Sequence, residues 1–174
     1  MRTLIAASAF ALTATSSFAG DWTAGYAGVG LGYADVGLSA GLSGGNGGAG
    51  GIHGGYDYDF GDWVIGGELE YDWMSIGVAS GAADLDNVGR LKFKVGYDLE
   101  DWLVYGVVGA ARAYTSSNAI GNDNGWLAGV GAAYQVGPQW AISGELLYHE
   151  FSDFNNTGVD VDATTFNVRA SYRF

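Results

Sequence analysis

The chain contains no cysteine, which removes disulfide frameworks, thiol nucleophiles and thiolate metal sites together. Proline occurs once. Cations are scarce as well, with seven Lys and Arg against nineteen Asp and Glu and a formal charge of −12. Such a balance disfavours a nucleic-acid partner, which needs a basic stripe to meet phosphate. Long apolar runs are missing too. A membrane-spanning helix needs about 20 consecutive apolar residues, and the best candidate, Leu4 to Leu12, is followed by Thr13, Thr15, Ser16 and Ser17. Helical membrane architectures are therefore excluded.

That first segment has another use. Met1 and Arg2 give a short positive start, Leu4 to Leu12 an apolar stretch, and Ser17-Phe18-Ala19 the small-residue pattern that a signal peptidase reads. The expectation is a signal peptide over residues 1–19, cleaved after Ala19, and one mature domain over residues 20–174. All acids lie in that mature part, so losing Arg2 makes it more negative still.

What the chain does have is glycine, 31 residues of it, and almost as many aromatic residues (14%) as charged ones (15%). This composition suits many short strands and tight turns. Period-two reading sharpens the point, because a strand sends alternate side chains to opposite faces. Between Trp63 and Trp73, Trp63, Ile65, Leu69, Tyr71 and Trp73 share one parity, and Glu68, Glu70 and Asp72 the other. Between Arg90 and Leu99, Leu91, Phe93, Val95, Tyr97 and Leu99 oppose Arg90, Lys92 and Lys94. A soluble sandwich also alternates, with its charged face in water; a solvated hairpin leaves the aromatic face unexplained. Charges inside and aromatics outside is the pattern of a membrane barrel, the structure other than a helix that satisfies its backbone in lipid. Antiparallel pairing of Glu68 with Lys94, Glu70 with Lys92 and Asp72 with Arg90 keeps one register and sets each acid beside a base.

Extended over the chain, the pattern predicts eight strands, close to Trp22–Ala34, Ile52–Phe60, Trp63–Met74, Val88–Leu99, Trp102–Tyr114, Gly125–Val136, Trp140–Phe151 and Ala163–Phe174. Short turns at Gly61-Asp62, Glu100-Asp101 and Gly137-Pro138-Gln139 alternate with long connections over residues 35–51, 75–87, 115–124 and 152–162. In outer-membrane barrels the turns are periplasmic and the loops extracellular. Each short turn leads into a tryptophan, Trp63, Trp102 or Trp140, which predicts an interfacial girdle at the periplasmic side.

Several of these segments resemble a known family. They are Trp22-Thr23-Ala24-Gly25-Tyr26, Gly55-Tyr56-Asp57-Tyr58-Asp59-Phe60-Gly61-Asp62-Trp63-Val64-Ile65-Gly66-Gly67-Glu68, Gly137-Pro138-Gln139-Trp140, Gly144-Glu145-Leu146-Leu147-Tyr148 and the ending Asn167-Val168-Arg169-Ala170-Ser171-Tyr172-Arg173-Phe174. In this order they resemble the small eight-stranded outer-membrane barrels of the opacity-type porin and Omp25-like group, similar in plan to the OmpA barrel domain. The resemblance covers the mature chain. The chain departs from it at Ala132-Ala133-Tyr134, where relatives carry a luminal glutamate, and in its plain first loop, Ser43-Gly44-Gly45-Asn46-Gly47-Gly48. Phe166, Val168, Ala170, Tyr172 and Phe174 look like the C-terminal signal by which the barrel-assembly machinery accepts such a chain.

The resulting expectation is an all-β, eight-stranded, up-and-down transmembrane barrel. At this strand number side chains fill the interior. Asp57, Asp59, Glu68, Glu70, Asp72, Arg90, Lys92, Lys94, Glu145 and Arg169 belong there by parity, with Arg169 within reach of Glu145. Function then falls to the loops, which carry Asp84, Asp86, Asp123, Asp153, Asp160 and Asp162.

Other candidates are weaker. His53 and His149 lie far apart in sequence. His149-Glu150-Phe151-Ser152 groups a histidine, an acid and a serine, but not at the spacing of lipid-A deacylase barrels. Gly28-Val29-Gly30-Leu31-Gly32 opens no helix, so it reads as glycine in a crowded strand. The pairs Asp84/Asp86 and Asp160/Asp162 lack a complete EF-hand spacing. Arg112 is luminal if Leu103, Tyr105 and Val107 face lipid, and at the outer rim in the opposite phase. The reading is a monomeric outer-membrane protein of a Gram-negative envelope, with a structural or surface-interaction role, no catalytic residues, cofactor or metal, and lipid, lipopolysaccharide and the assembly machinery as partners. A narrow porin-like channel and a lipid-modifying enzyme are the rivals.

Overall fold

The structure, a computed structural model, describes residues 20–39, 44–78, 83–115, 123–151 and 160–174; the expected leader lies outside them. Eight strands follow one another as β1 (Ala24–Leu38), β2 (Gly45–Asp59), β3 (Trp63–Val78), β4 (Ala83–Leu99), β5 (Trp102–Thr115), β6 (Asp123–Gly137), β7 (Trp140–Phe151) and β8 (Val161–Arg173). Each is antiparallel to its neighbours, and β1 pairs with β8 to close the barrel. Closure leaves no open strand edge.

Alternation decides what faces where. Leu31, Leu69, Leu91, Phe93, Trp73 and Phe166 are each more than half exposed, whereas Glu68, Arg90, Lys92 and Glu145 are at most 5% exposed. Polar residues inside and apolar residues outside invert the arrangement of a soluble protein.

Two expectations about the hairpins are corrected. Glu68 faces Lys92 and Glu70 faces Arg90, a register displaced by two residues from the one that charge matching predicts. The pairing still joins acids to bases because Lys and Arg reach diagonally across the sheet. The long connections are also shorter than expected. Gly45 to Gly51 forms strand, pairing Gly45 with Val36 and Asn46 with Asp35, so the β1–β2 connection shrinks to residues 39–44. Glycine lowers strand propensity, but β1 supplies a partner for every one of these residues and β3 joins from Ala49 onward.

The short turns are tight. Phe60 N donates to Trp63 O at 2.8 Å, and Gly61 adopts φ +104°. In the β4–β5 turn Leu99 pairs with Trp102, and Glu100 takes a left-handed φ of 66°. Beyond the turns the three tryptophans repeat one contact. Trp63, Trp102 and Trp140 pack against the cross-strand tyrosines Tyr97, Tyr134 and Tyr172 at centroid separations of 5.5, 4.8 and 5.3 Å.

Candidate functional site: the lumen

Glycine on the inner face of β1 makes room for what fills the barrel. A Cβ at Gly28 would collide with the Ala170 carbonyl and with His53, and one at Gly32 with Asn167. Space left by missing side chains is thus taken by larger ones from β2 and β8.

The centre of the lumen is an ion-pair layer built from four strands. Lys92 Nζ on β4 bonds Glu68 and Glu70 of β3, each at 2.5 Å, and Glu145 of β7 at 2.7 Å. Arg169 on β8 donates through NH1 to Glu68 (2.6 Å) and Glu70 (3.3 Å), and through NH2 to Glu145 (3.2 Å) and the Tyr105 hydroxyl (3.0 Å). Its Nε donates to Ser143 Oγ at 3.2 Å. Arg90 NH1 pairs with Glu70 at 2.6 Å and also with Asp72. Lys94 departs from the layer. It binds Asp57 at 2.8 Å rather than Glu68, with the Tyr26 and Tyr105 rings each 5.0 Å from its Nζ.

Among the described residues, buried charge balances. Asp57, Glu68, Glu70, Asp72 and Glu145 are matched by Arg90, Lys92, Lys94, Arg169 and Arg173. Arg173 was not expected in this set, because it adjoins the chain end. It sits 5.2 Å over the Trp22 ring and donates to the Asp21 carbonyl at 2.7 Å. Asp59, which was expected among the luminal charges, lies at the mouth beside Trp22, accepting from Trp22 N at 3.2 Å and from Gly61 N of its own turn at 2.7 Å. The carboxylates of Glu68, Glu70 and Glu145 converge closely enough to hold a cation, and the ammonium of Lys92 bonds all three.

Not all of the lumen is polar. Leu103, Tyr105 and Val107 of β5 point inward with Leu127 and Leu147, so this wall is apolar. That phase turns Arg112 outward, where its guanidinium lies 5.7 Å from the Tyr114 ring. Toward the long connections, Ala34, Val36, Val88, Phe151 and Val161 cap the ion-pair layer. At the opposite end Trp22 is buried, and its Nε1 donates to the Glu100 carbonyl at 3.2 Å. The luminal cavities on either side of the ion-pair layer hold about 30 Å³ each. That is room for one or two water molecules apiece.

Both histidines are luminal and engaged. His53 Nε2 meets Ser171 Oγ at 2.8 Å. His149 Nε2 accepts from Arg90 Nε at 2.8 Å, a contact without a spacing signature in the sequence. The lone pair that a catalytic base would use is thereby occupied. Ser152 lies outside the described residues, as do Asp153 and the side chains of Asp84, Asp86 and Asp123. Asp160 and Asp162 are exposed at the rim. Phe166, Val168, Ala170 and Tyr172 lie on the outer parity of β8, and Phe174 N donates to the Gly25 carbonyl at 2.9 Å.

The family model for the outer membrane protein beta-barrel domain matches residues 3–174. The chain belongs to this family. It is 26% identical over 240 aligned positions to the 31 kDa outer-membrane immunogenic protein of Brucella melitensis biotype 1, and equally to that of Brucella suis biovar 1, with all of both chains covered in each case. Among solved structures, Neisserial surface protein A superposes with a TM-score of 0.63 at 16% identity, covering 86% of this chain and 97% of that one. Ail, the attachment invasion locus protein of Yersinia pestis, solved in complex with the heparin analogue sucrose octasulfate, superposes with a TM-score of 0.55 at 20% identity, covering 87% and 99%. These likenesses share the closed fold. The protein is therefore an outer-membrane β-barrel, and lipid surrounds its exposed aromatic and aliphatic face.

Proposed function

We propose that the protein serves the envelope as a monomeric structural barrel whose long connections make its contacts at the cell surface, while its lumen passes no solute. The observation that carries this reading is the stack of Trp22, the ion-pair layer and the apolar cap across the lumen. An aqueous path would require these layers to part, and each luminal cation has carboxylate or backbone partners that oppose its movement. The engaged Nε2 of His149 supports a role without catalysis. Export by a leader over residues 1–19 belongs to the same proposal, and a mature N-terminus at Gly20, read by intact mass, tests that part.

Purified wild-type protein in planar bilayers should give no stepwise conductance. Labelled cells, matrix proteins and lipopolysaccharide should be tested for binding to wild-type protein and to variants with residues 39–44 or 152–159 replaced by a short linker. Binding lost with a connection while the barrel remains folded supports the reading. Stepwise conductance altered by Lys92→Ala or Glu70→Ala would replace it with a channel, and turnover of a lipid or peptide substrate abolished by His149→Ala would replace it with an enzyme.

A further inference from the structure

Of the seven cationic residues, Arg2 is in the expected leader and five are buried in the lumen. Arg112 is the remaining one, and it is exposed on the lipid-facing side of β5. Its height can be read along its own strand. Arg112 follows Trp102 by ten residues, which at about 3.3 Å per residue and a tilt near 40° is about 25 Å, the height of the apolar band. With the tryptophan turns periplasmic, Arg112 stands at the outer-leaflet headgroup level.

Beside it the outer wall is recessed. Two register rows cross β3, β4 and β5 there: Tyr71, Gly89 and Arg112 in the upper row, and Leu69, Leu91 and Ala110 in the lower. Gly89 leaves a gap between Tyr71 and Arg112 that the Tyr71 and Tyr114 rings, 6.5 Å apart, flank, and the small Ala110 leaves another below it. The resulting open groove measures about 770 Å³. Its polarity is ordered, with a cation and two tyrosines toward the outside and aliphatic side chains toward the bilayer centre. An acyl chain fits the lower part, and an anion attached to that chain meets Arg112.

We propose that this groove is a binding site for an outer-leaflet glycolipid, specifically the phosphorylated, acylated disaccharide anchor of lipopolysaccharide, with one acyl chain lying over Gly89 and Ala110 and one phosphate held by Arg112. Charge selects the position. Among the described residues toward the long connections, Asp35, Glu150, Asp160 and Asp162 are acids outside the buried set, and Arg112 is the one cation there. Like charge repels an anionic headgroup around the rest of the rim. Guanidinium is suited to the task because it stays ionised and presents paired donors to phosphate. This site is on the barrel wall, so it stands or falls independently of what the connections bind.

The test compares wild-type protein, Arg112→Gln and Gly89→Leu, refolded in zwitterionic detergent. A Cβ at Gly89 meets the Tyr71 and Tyr114 rings at 3.8 and 3.9 Å, ordinary contact distances, so a side chain can start there without a backbone clash and leucine extends it into the groove. Unboiled gel migration verifies folding, and Ala110→Leu replaces Gly89→Leu if that variant fails to fold. Each protein is titrated with the purified phosphorylated disaccharide anchor, its dephosphorylated form and phosphatidylcholine, and bound lipid is counted by native mass spectrometry. The expected result is one phosphorylated anchor per wild-type barrel, retained at least tenfold less by both variants, and at least tenfold weaker retention of the other two lipids. Equal retention by the variants, or equal retention of phosphatidylcholine, would overturn the proposal. A dimer mass abolished by Gly89→Leu and unchanged by Arg112→Gln would instead assign the groove to a second copy of the chain.

Discussion

Lys92 on β4 and Glu145 on β7 meet across the lumen at 2.7 Å, tying together strands that share no backbone pairing. The bond is one of three made by the Lys92 ammonium, and all four groups are almost completely buried.

Removing that ammonium leaves three carboxylates short of a partner. Lys92→Ala should therefore cost about 3–5 kcal/mol. Ser39→Ala, which removes an exposed hydroxyl accepting from Asp160 N at 2.8 Å, should cost about 1 kcal/mol or less. Urea-dependent unfolding in lipid vesicles, read by gel migration without boiling, measures both. Equal midpoints would show that the ion-pair layer is dispensable.

Close approach makes a second prediction. Gly28→Ala puts a methyl group against the Ala170 carbonyl and should destabilise the barrel by about 1–3 kcal/mol. Gly67→Ala meets nothing within 4 Å and should leave the midpoint within about 0.5 kcal/mol of wild type. A pair of indistinguishable variants in the same unfolding assay would contradict this packing of β1.

Glu100 offers a backbone test. Its φ of 66° suits glycine and opposes branching at Cβ. Glu100→Val should lose about 1–2 kcal/mol and Glu100→Gly should be neutral or slightly stabilising. Reversal of that order in thermal melts would mean that the side chain, not the backbone, governs the turn.

Phe174 is proposed both to close the seam beside Gly25 and to signal assembly. Phe174→Ala should lower the amount of barrel in isolated outer membranes several-fold, while purified protein refolded in vitro melts within a few degrees of wild type. Membrane levels that match wild type would remove the signalling role.

The inside-out parity was plain in the sequence because charged and large apolar residues alternate without exception between Glu68 and Trp73 and again between Arg90 and Lys94. Register was not. Lys92 bonds both the residue opposite and the one diagonal to it, so charge matching accepts two alignments and cannot choose between them. The phase of β5 was hidden for another reason. Leu103 and Val107 point inward while Val104 and Val108 point outward, and a strand that is apolar on both faces has no period-two contrast. The Arg90–His149 contact crosses the barrel's interior between β4 and β7, which share no backbone pairing, and such through-space meetings leave no trace in residue spacing.

The strands run for 12 to 17 residues, whereas about 9–11 tilted residues cross the hydrocarbon. The surplus stands proud of the bilayer as a hydrogen-bonded collar, latched where Ser39 N donates to the Asp160 carbonyl at 3.0 Å. The collar residues themselves, held in so stiff a parapet, have less freedom to surrender when something docks on them. A small barrel can in this way offer a preset landing surface from the reach of its wall alone.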